Sequence, residues 1–313
     1  MKKIKMLNAV LIMAETILLT TLLLSFYLTT RLENDRYLFV PQGSIRAIVT
    51  HLQKSGLDLD GADVWMIRLM GSPQQGWIDL GEHNATRWDF YRALVASKAA
   101  MREIRLIPGE TTPVTLNQLS EALDLNASKL HAAYQALAPM AEGVLIPETY
   151  HVPMGIDETG LIRLLIDRAL KTHEERAIAF LGSYEMKQWF RYITMASIIE
   201  KEAANHEEMP VVASVIVNRL KKGMRLQMDG TLNYGYFSRE RVTAKRIRED
   251  TSPYNTYKYG GLPPLPVCMV GPEAIAAALA PAQTDYLYFV RNRDGTHTFT
   301  HSYRHHLNNI KSE

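Results

Sequence analysis

Hydrophobic residues are distributed unevenly along the chain, and the densest run lies near its start. Leucine, isoleucine, valine, alanine and methionine dominate the 22 residues from Leu7 to Leu28. At roughly 1.5 Å per residue, a helix of that length spans about 33 Å, which is enough to cross the ~30 Å hydrocarbon layer of a membrane. The pattern predicts a single transmembrane helix over residues 7–29.

The residues that flank this run predict its orientation. Lys2, Lys3 and Lys5 precede it, and no comparable excess of positive charge follows it, so the positive-inside rule places the N-terminus in the cytoplasm. A cleaved signal peptide is the alternative, but the run is long for one and no good small-x-small cleavage site follows it. We therefore expect an uncleaved anchor, with residues 30–313 outside the cytoplasmic membrane.

Two later stretches share a strand, a turn containing proline and glycine, and an amphipathic helix. The first turn lies in residues 38–44 and the second in residues 106–111, and apolar residues at helical spacing follow each of them. Further helices are predicted over residues 87–101 and 126–137. The pattern predicts small α+β modules within residues 36–140, where few residues indicate catalysis.

Helical patterns dominate the next part of the chain and then give way to polar loops. A long helical tract is predicted from about residue 157 to 204, with a break near Gly182, and another helix over residues 209–222 that ends at Gly223. Tyrosines and short amides follow within the loops. Aromatic rings stack on the C–H faces of sugars while amides bind hydroxyl groups, so this composition favours a carbohydrate ligand. The tyrosines are Tyr234, Tyr236, Tyr254, Tyr257 and Tyr259.

Composition and charge exclude some classes of protein. The chain has 313 residues and a formal net charge of +2, which is too small for the concentrated basic face of a nucleic-acid-binding protein. Its single cysteine, Cys268, lies in an apolar run and allows neither an intramolecular disulfide nor a cysteine metal cluster. We expect Cys268 to be buried and unreactive.

The segment from residue 193 to 203 carries the clearest candidate for catalysis. On a helical wheel Glu200 falls between apolar residues, whereas Glu202 lies on the opposite side, beside the polar face. A glutamate that points into the protein should have a raised pKa, which suits a general acid for cleavage of a glycosidic bond. The alternative is a glutamate whose charge is satisfied by Arg219 or Lys222, and the helix alone leaves both interpretations open.

A series of short motifs runs in order through about residues 140–306. The motifs are Glu142-Gly143 to Pro147-Glu148-Thr149-Tyr150; Ala196-Ser197-Ile198-Ile199-Glu200-Lys201-Glu202; Ala213-Ser214-Val215 to Asn218-Arg219-Leu220; Gly223-Met224 to Leu226-Gln227-Met228-Asp229-Gly230-Thr231; Tyr234-Gly235; Ser252-Pro253-Tyr254-Asn255-Thr256-Tyr257; Gly261-Leu262-Pro263-Pro264; Thr284-Asp285-Tyr286-Leu287-Tyr288-Phe289-Val290; and His297, Phe299 and His306. Together they resemble the YceG-like endolytic murein transglycosylases (the MltG family), and the resemblance is looser in the front half of the chain.

The resemblance implies a fold class, which is α+β. It comprises one N-terminal transmembrane helix, an extracytoplasmic α+β region over residues 36–140 that includes a LysM-like module, and a mixed α/β catalytic domain over residues 141–313.

The resemblance also implies a reaction, with Glu200 as the catalytic residue. The enzyme would cleave the MurNAc–GlcNAc β-1,4 bonds of nascent peptidoglycan strands. One carboxyl group protonates the leaving O4 and then deprotonates the sugar's own 6-hydroxyl, which closes a 1,6-anhydro ring, so the second carboxylate of ordinary glycosidases is not required. No metal and no cofactor is expected. The positions expected around the sugar are Gln227, Asp229, Thr231, Tyr254, Asn255 and Thr256.

The location and partners follow from the same resemblance. The expected partners are peptidoglycan glycan strands and, through residues 7–29, the cytoplasmic (inner) membrane, with the catalytic domain on its periplasmic or extracytoplasmic side. Cleavage there would terminate strand elongation. Peptidoglycan synthases or division proteins are further candidate partners, and nucleic acid is not expected.

Three other interpretations stay open from the sequence. A non-enzymatic scaffold would bind the cell wall through the anchor and the LysM-like region. A muramidase-type hydrolase would need a second carboxylate to activate water, and Asp229 is the candidate for it. A metal site would use His301 and His305, which lie one helical turn apart.

Two positions beside Asp229 depart from the family pattern. Gly230 stands where the pattern usually has proline, and Met228 stands where it usually has a small polar residue. These departures concern the shape of the loop and leave Glu200 in place.

Overall fold

The computed structural model of the protein describes residues 2–81 and 85–312. The last residue of the predicted catalytic domain, Glu313, lies outside the described residues, as do the side chains of Lys2, Lys3 and Lys5, on which the predicted orientation of the anchor depends. That orientation stays a prediction.

The expected mixture of helices and strands is confirmed. In chain order the elements are α1 (Lys2–Thr29), β1 (Arg31–Leu32), β2 (Tyr37–Val40), α2 (Ile45–Lys54), α3 (Gly61–Met70), β3 (Gly76–Asp79), β4 (Ala85–Thr86), α4 (Arg87–Ala96), β5 (Met101–Arg105), α5 (Thr112–Leu123), α6 (Ala127–Leu137), β6 (Thr149–Pro153), α7 (Glu158–Leu181), α8 (Met186–Glu202), α9 (Met209–Lys221), α10 (Ala244–Glu249), α11 (Pro272–Leu279), β7 (Tyr288–Arg291), β8 (His297–Thr300) and α12 (Tyr303–Ser312). Two 3-10 turns, Asp229–Leu232 and Gly235–Phe237, lie between α9 and α10.

The strands form short pairs rather than one large sheet in the part of the chain that the structure describes. β1 pairs with β4, β2 with β3, β5 with β6 and β7 with β8. The first, second and fourth of these pairs are antiparallel. The helices therefore provide most of the side-chain packing, and the strands connect and orient them.

The predicted helix over residues 87–101 is shorter in the structure. α4 ends at Ala96, and Ser97 adopts an extended backbone. Ala100 then donates its N–H to the carbonyl oxygen of Trp77 at 2.7 Å, and Ala99 forms a β-bridge with Ile78. The helix prediction is wrong after Ala96, because hydrogen bonds to a strand some twenty residues earlier in the chain replace the helical ones.

The first helix has the length and composition to cross a membrane. Its apolar part runs from Met6 to Thr29, and none of the described side chains in it is buried inside the protein. This is compatible with the predicted anchor, since a membrane span exposes its side chains to lipid.

The chain divides into two compact units. Unit 1 comprises residues 1–102 and 151–156, and unit 2 comprises residues 103–150 and 157–313. Residues 103–140 thus share a unit with the predicted catalytic domain. The predicted domain boundary between residues 140 and 141 and the LysM-like module stay predictions.

Unit 1 has a buried ion pair inside its hydrophobic core. Asp63 is fully buried, and its carboxylate accepts a hydrogen bond from the Arg87 guanidinium at 2.8 Å and another from the Tyr91 hydroxyl. It also accepts the backbone N–H of Asp60 and so forms a capping box that begins α3. Two buried charges are tolerated there because hydrogen bonds satisfy both partners.

Unit 2 is built around α8. Trp189, Ile193, Ala196 and Ile199 on this helix are fully buried, and α8 packs against α9 and α11. The indole N–H of Trp189 donates to Nδ1 of His173 at 3.0 Å, so Nε2 of this histidine carries the proton and donates to the Val144 carbonyl at 2.9 Å. Burial lowers the pKa of His173 to about 4, so it stays neutral.

Replacing Asp63 with alanine should destabilise unit 1 by about 3–5 kcal/mol, because the Arg87 charge would stay buried after losing its main partner. Hydrogen exchange of peptides from α3 and α4, in the detergent-solubilised full chain, measures this change. The matched control is Asp79→Ala, which removes a partly exposed ion pair with Arg36 of 3.0 Å and should cost about 1 kcal/mol or less. Equal effects of the two substitutions would contradict a structural role for the buried pair.

Candidate active site at the end of helix α8

Helix α8 places Glu200 at the edge of the core of unit 2. Glu185 caps the start of the helix, and its carboxylate accepts the N–H groups of Lys187 and Gln188 at 3.1 and 2.6 Å. Most of its residues up to Ile199 are buried, and the helix ends at Glu202, because the next residue, Ala203, has an extended backbone. Glu200 therefore lies in the last turn, half-buried, where a core helix meets the surface.

The carboxyl group of Glu200 lies against two glycines. Its Oε2 accepts the N–H of Gly271 at 2.9 Å. A Cβ atom at Gly271 would lie 3.3 Å from this oxygen, and one at Gly109 would lie 3.8 Å from Cγ of Glu200. A side chain at Gly271 would therefore be tight against the carboxyl group, whereas a Cβ at Gly109 would make ordinary contact and glycine is favoured there by its positive φ of 77°.

The two glycine segments are joined to each other by backbone hydrogen bonds. Gly109 donates its N–H to the carbonyl of Met269, and Met269 donates its own N–H to the carbonyl of Glu110, both at 2.9 Å. The segment before α5 and the segment before α11 therefore form one support, and it fixes the side of Glu200 that carries Oε2.

The surroundings raise the pKa of Glu200 above its ordinary value. Burial is the largest cause, and the negative charge of Glu273 adds to it. The Gly271 hydrogen bond and the nearby His206 and Lys201 act in the opposite direction without cancelling it. A raised pKa keeps a larger protonated fraction near neutral pH, which is the form that a general acid needs.

The alternative that Arg219 satisfies Glu200 is wrong. The guanidinium of Arg219 donates to the carbonyl oxygens of Leu287, at 2.6 Å, and of Leu226. Lys222 lies just after α9 with an exposed side chain. Within residues 2–81 and 85–312, no salt bridge joins Glu200 to a cation, so its proton affinity is set by burial and by the weaker charges described above.

The two residues after Glu200 hold two further segments. The ammonium group of Lys201 donates to the backbone carbonyl and the hydroxyl of Ser238 at 2.9 and 3.1 Å. The Oε1 of Glu202 accepts the N–H of Gly230 at 2.6 Å. The expectation that Glu202 belongs to the polar face is wrong, because the 3-10 turn Asp229–Leu232 covers it, and burial raises its pKa to about 7.

Two contacts of the neighbouring residues explain why position 230 is a glycine. A Cβ atom there would lie 2.6 Å from Cβ of Lys201 and 2.9 Å from Oε1 of Glu202. Proline, which the family pattern usually has here, lacks the N–H that Gly230 donates to Glu202. The departure from the pattern therefore creates a hydrogen bond between this loop and α8.

Two of the predicted sugar-binding residues have exposed side chains in the loop after α9. Gln227 adopts a left-handed backbone with a φ of 48° and donates its N–H to the Thr256 carbonyl at 3.2 Å. Asp229 accepts the hydroxyl of Tyr257 at 2.7 Å. Both side chains are exposed, so they are available to a ligand.

The predicted residues Thr231, Asn255 and Thr256 are buried. The side-chain amide of Asn255 donates to the carbonyls of Ile247 and Asp250 at 2.9 and 2.8 Å. Thr256 accepts the N–H of Met228 at 3.1 Å, and the hydroxyls of Thr231 and Thr256 lie 3.0 Å apart. These side chains hold the two loops together.

The remaining predicted residue, Tyr254, is half-buried and stacks on Tyr234. Their ring centroids are 4.5 Å apart with an interplanar angle of 16°. Tyr234 is fixed in turn by its hydroxyl, which donates to Asp250 at 3.1 Å. The two rings form one aromatic surface, and sugar binding there stays a prediction.

Sequence reasoning missed Glu273, the carboxylate beside Glu200. Both Glu273 Oε2 and Glu200 Oε2 lie 3.3 Å from the position that a Cβ of Gly271 would occupy. Asp229, the predicted second carboxylate, instead acts on Glu202, whose pKa it raises. Glu273 lies in the first turn of α11, where acidic residues are common in any helix, so its sequence position did not indicate a site.

A further buried carboxyl group, Glu142, lies in the first of the motifs. It accepts the backbone N–H and the hydroxyl of Thr112 at 2.8 and 2.6 Å and the N–H of Gly143 at 3.0 Å. Burial still raises its pKa to about 7. These hydrogen bonds join the start of α5 to the segment before β6, which gives Glu142 a structural role.

The C-terminal histidines contact residues other than those that surround Glu200. Nδ1 of His297 lies 2.7 Å from Oε2 of Glu208, and His306 stacks on Tyr288. The ring centroids of His301 and His305 are 6.3 Å apart. Among the described residues, no group of three histidine, cysteine, aspartate or glutamate side chains is placed to hold a metal ion.

Comparison with known proteins identifies a family and several relatives. The sequence model of the YceG-like family matches residues 38–312. A Bacillus subtilis protein named endolytic murein transglycosylase is 38% identical over 172 residues, which cover 53% of this chain and 46% of that protein. A Streptococcus pneumoniae D39 protein of the same name is 34% identical over 156 residues, which cover 48% and 28%. The chain thus spans less than half the length of these relatives.

A solved structure supports the same family. The 2.6 Å crystal structure of a yceG-like protein from Listeria monocytogenes matches with a TM-score of 0.56 and 25% identity. The match covers 88% of this chain and 99% of the Listeria chain.

The buried carboxyl group of Glu142 should make stability depend on pH. Its pKa is raised by folding, so its contribution is fully present below its unfolded pKa and is lost as the pH rises through about 7. The loss amounts to about 3 kcal/mol, at about 1.4 kcal/mol per pKa unit. Glu142→Gln should flatten the decline in the free energy of unfolding between pH 4.5 and 8, measured by hydrogen exchange of α5. The exposed control Glu121→Gln should leave the decline intact, and an unchanged slope in Glu142→Gln would contradict the assignment.

Proposed function

The chain belongs to the YceG-like family, and on that premise we propose that it is an endolytic lytic transglycosylase of peptidoglycan with Glu200 as its catalytic acid and base. The observation that carries the proposal is the carboxyl group of Glu200, which is half-buried, has a raised pKa and accepts one backbone N–H. The names of the Bacillus and Streptococcus relatives support the substrate class.

The proposed reaction needs two successive proton transfers at Glu200. Because Gly271 donates to Oε2, the acidic proton is carried by Oε1. It passes to the glycosidic O4 as the bond from C1 of MurNAc to O4 of GlcNAc breaks. The resulting carboxylate, stabilised by the Gly271 N–H, accepts the proton of the MurNAc 6-hydroxyl while O6 bonds to C1. The product carries a 1,6-anhydro ring, and no water is consumed.

The other predicted residues divide into two roles under this proposal. Gln227, Asp229 and the Tyr234–Tyr254 stack are exposed or half-buried, and they contact the sugar directly. Thr231, Asn255 and Thr256 are buried and hydrogen-bonded, so they serve substrate binding by fixing the loops that carry these contacts.

The remaining parts of the proposal concern location and partners. The apolar helix α1 anchors the chain in the cytoplasmic membrane with the N-terminus inside, and the site acts on nascent glycan strands on the outer side, where it terminates elongation. The strand–turn–helix of β2 and α2 belongs to a LysM-like module that binds glycan. Peptidoglycan synthases or division proteins are the proposed protein partners.

A second candidate function is supported by Glu273. A hydrolase with two carboxylates would use one group as the acid and the other to activate water or to attack the sugar. Glu273 is exposed and lies beside Glu200, so it meets the positional requirement better than Asp229. A muramidase-type hydrolysis, with reducing ends instead of anhydro ends, is therefore the alternative that the product assay must separate.

Glu200→Gln should lower the rate of glycan cleavage by a factor of about 10²–10⁴, the usual contribution of a general acid. The full chain in detergent is incubated with uncrosslinked glycan strands, and mass spectrometry identifies the ends of the fragments. Anhydro ends support the transglycosylase, and reducing ends support the hydrolase. Glu175→Gln, an exposed position on α7, is the control and should keep full activity. Full activity in Glu200→Gln would refute the assignment of the residue.

Glu273→Gln should shift the pH dependence of kcat/KM without abolishing cleavage. Removing this negative charge lowers the pKa of Glu200, so the protonated acid, and with it the activity, is lost at a lower pH than in the unsubstituted chain. A pH series with the same strands measures the alkaline limb of the profile, and Glu175→Gln should leave that limb in place. Loss of activity at every pH in Glu273→Gln would instead indicate the two-carboxylate hydrolase.

A further inference from the structure

The last turn of α1 is fixed to unit 1 by polar contacts rather than joined by a flexible linker. The hydroxyl of Tyr27 donates to Asp60 at 3.0 Å, and the guanidinium of Arg87 lies 4.7 Å from the centroid of the Tyr27 ring. The N–H of Arg87 also donates to the carbonyl of Thr30 at 2.9 Å. Asp60 precedes α3 and Arg87 begins α4, so the first turns of both helices lie at the end of the apolar span.

Large apolar side chains are exposed on these same two helices. Trp65 and Leu69 of α3 are 68% and 82% exposed, and Trp88 of α4 is 42% exposed. Trp65 and Leu69 are one helical turn apart, and Ala62 extends their face toward the start of α3. Exposed tryptophans next to a membrane span are unusual for a surface that faces only water.

We propose that Trp65 and Trp88 lie in the headgroup layer of the membrane that α1 crosses, so that unit 1 rests on the lipid surface. The proposal goes beyond the proposed catalytic function and depends on α1 as a membrane span. Tryptophan is enriched at this depth because its ring is apolar while its N–H reaches water and headgroups.

The reach of the two side chains fits this depth. Trp88 is the second residue of α4 and directly follows Arg87, which contacts the end of α1. Trp65 is five residues after Asp60, so it lies about 7.5 Å along the axis of α3 from the residue that contacts Tyr27. The headgroup layer is roughly 5–7 Å deep on each side of the hydrocarbon core, which is comparable with this separation.

The charges around the two tryptophans argue against a mainly electrostatic attraction. Arg68 lies over the ring of Trp65 at 5.3 Å, and Arg92 follows Trp88 by one turn. Acidic side chains, among them those of Asp58 and Asp89, lie on the same helices or just before them and are exposed. Because both signs are present, the contact depends on the indole rings, and zwitterionic lipid is a sufficient partner.

Site-specific spin labelling tests this position. The single cysteine, Cys268, is fully buried, so a cysteine introduced at Ala62 or at Arg92 can be labelled selectively while both tryptophans stay in place. The full chain is reconstituted in phosphatidylcholine vesicles. Collision of the label with O2, which concentrates in lipid, is then compared with collision with a water-soluble nickel chelate.

The ratio of O2 to chelate collisions at both labels should lie between that of a label at Met13, within the apolar span, and that of a label at Glu175, which is exposed on α7. It should fall to the value at Glu175 when Trp65→Ala and Trp88→Ala are introduced together, and it should not change in Phe180→Ala, which removes an exposed aromatic ring of unit 2. Anionic phosphatidylglycerol vesicles should give the same ratio as the zwitterionic ones.

Three results would overturn the proposal. Labels whose ratio equals that of the label at Glu175 in the chain with both tryptophans place this face in water. Labels shielded from both reagents show that protein, such as a second copy of the chain, covers the face. A control label at Met13, within the apolar span, that collides mainly with the chelate shows that α1 is outside the bilayer, and the lipid contact falls with it.

Discussion

The last turn of α8 holds the site together, because three consecutive side chains there each bind a different segment. Glu200 accepts the N–H of Gly271, Lys201 donates to Ser238, and Glu202 accepts the N–H of Gly230. The helix itself is fixed by burial of most of its residues up to Ile199. Packing in the core of unit 2 therefore determines where three loops lie, and a small rotation of α8 would move all of them together.

Both units contain polar groups that are buried with their hydrogen bonds satisfied. The two units differ in how those groups are arranged. In unit 1 the charges of Asp63 and Arg87 pair inside the core, and the pairing fixes the first turns of two helices. In unit 2 the carboxyl groups of Glu142, Glu200 and Glu202 have raised pKa values and no salt bridge in the described part of the chain. The first arrangement favours rigidity, and the second favours groups that can gain or lose a proton near neutral pH.

Hydrophobic periodicity predicted α5 to α9 of unit 2 and the inward side of Glu200, because those features depend on each helix's own residues, but it did not predict α10, α11 or α12. It failed where a distant segment decides the outcome. Glu202 was assigned to the polar face, but a turn 28 residues later in the chain covers it. α4 stops at Ala96 because a strand near Trp77 takes over its hydrogen bonds. Glu273 could not be found, since nothing in a single sequence shows which helix begins beside Glu200.

Burial of Glu202 under the turn that carries Gly230 couples the position of that turn to proton binding. With the turn in place Glu202 has a pKa of about 7, whereas an uncovered glutamate in water titrates near its ordinary, lower value. Proton binding therefore favours the covered arrangement, and as the pH rises through neutrality the ionised carboxylate is better hydrated with the turn lifted away. The turn that carries Asp229 is thus held most firmly on the acidic side of neutrality.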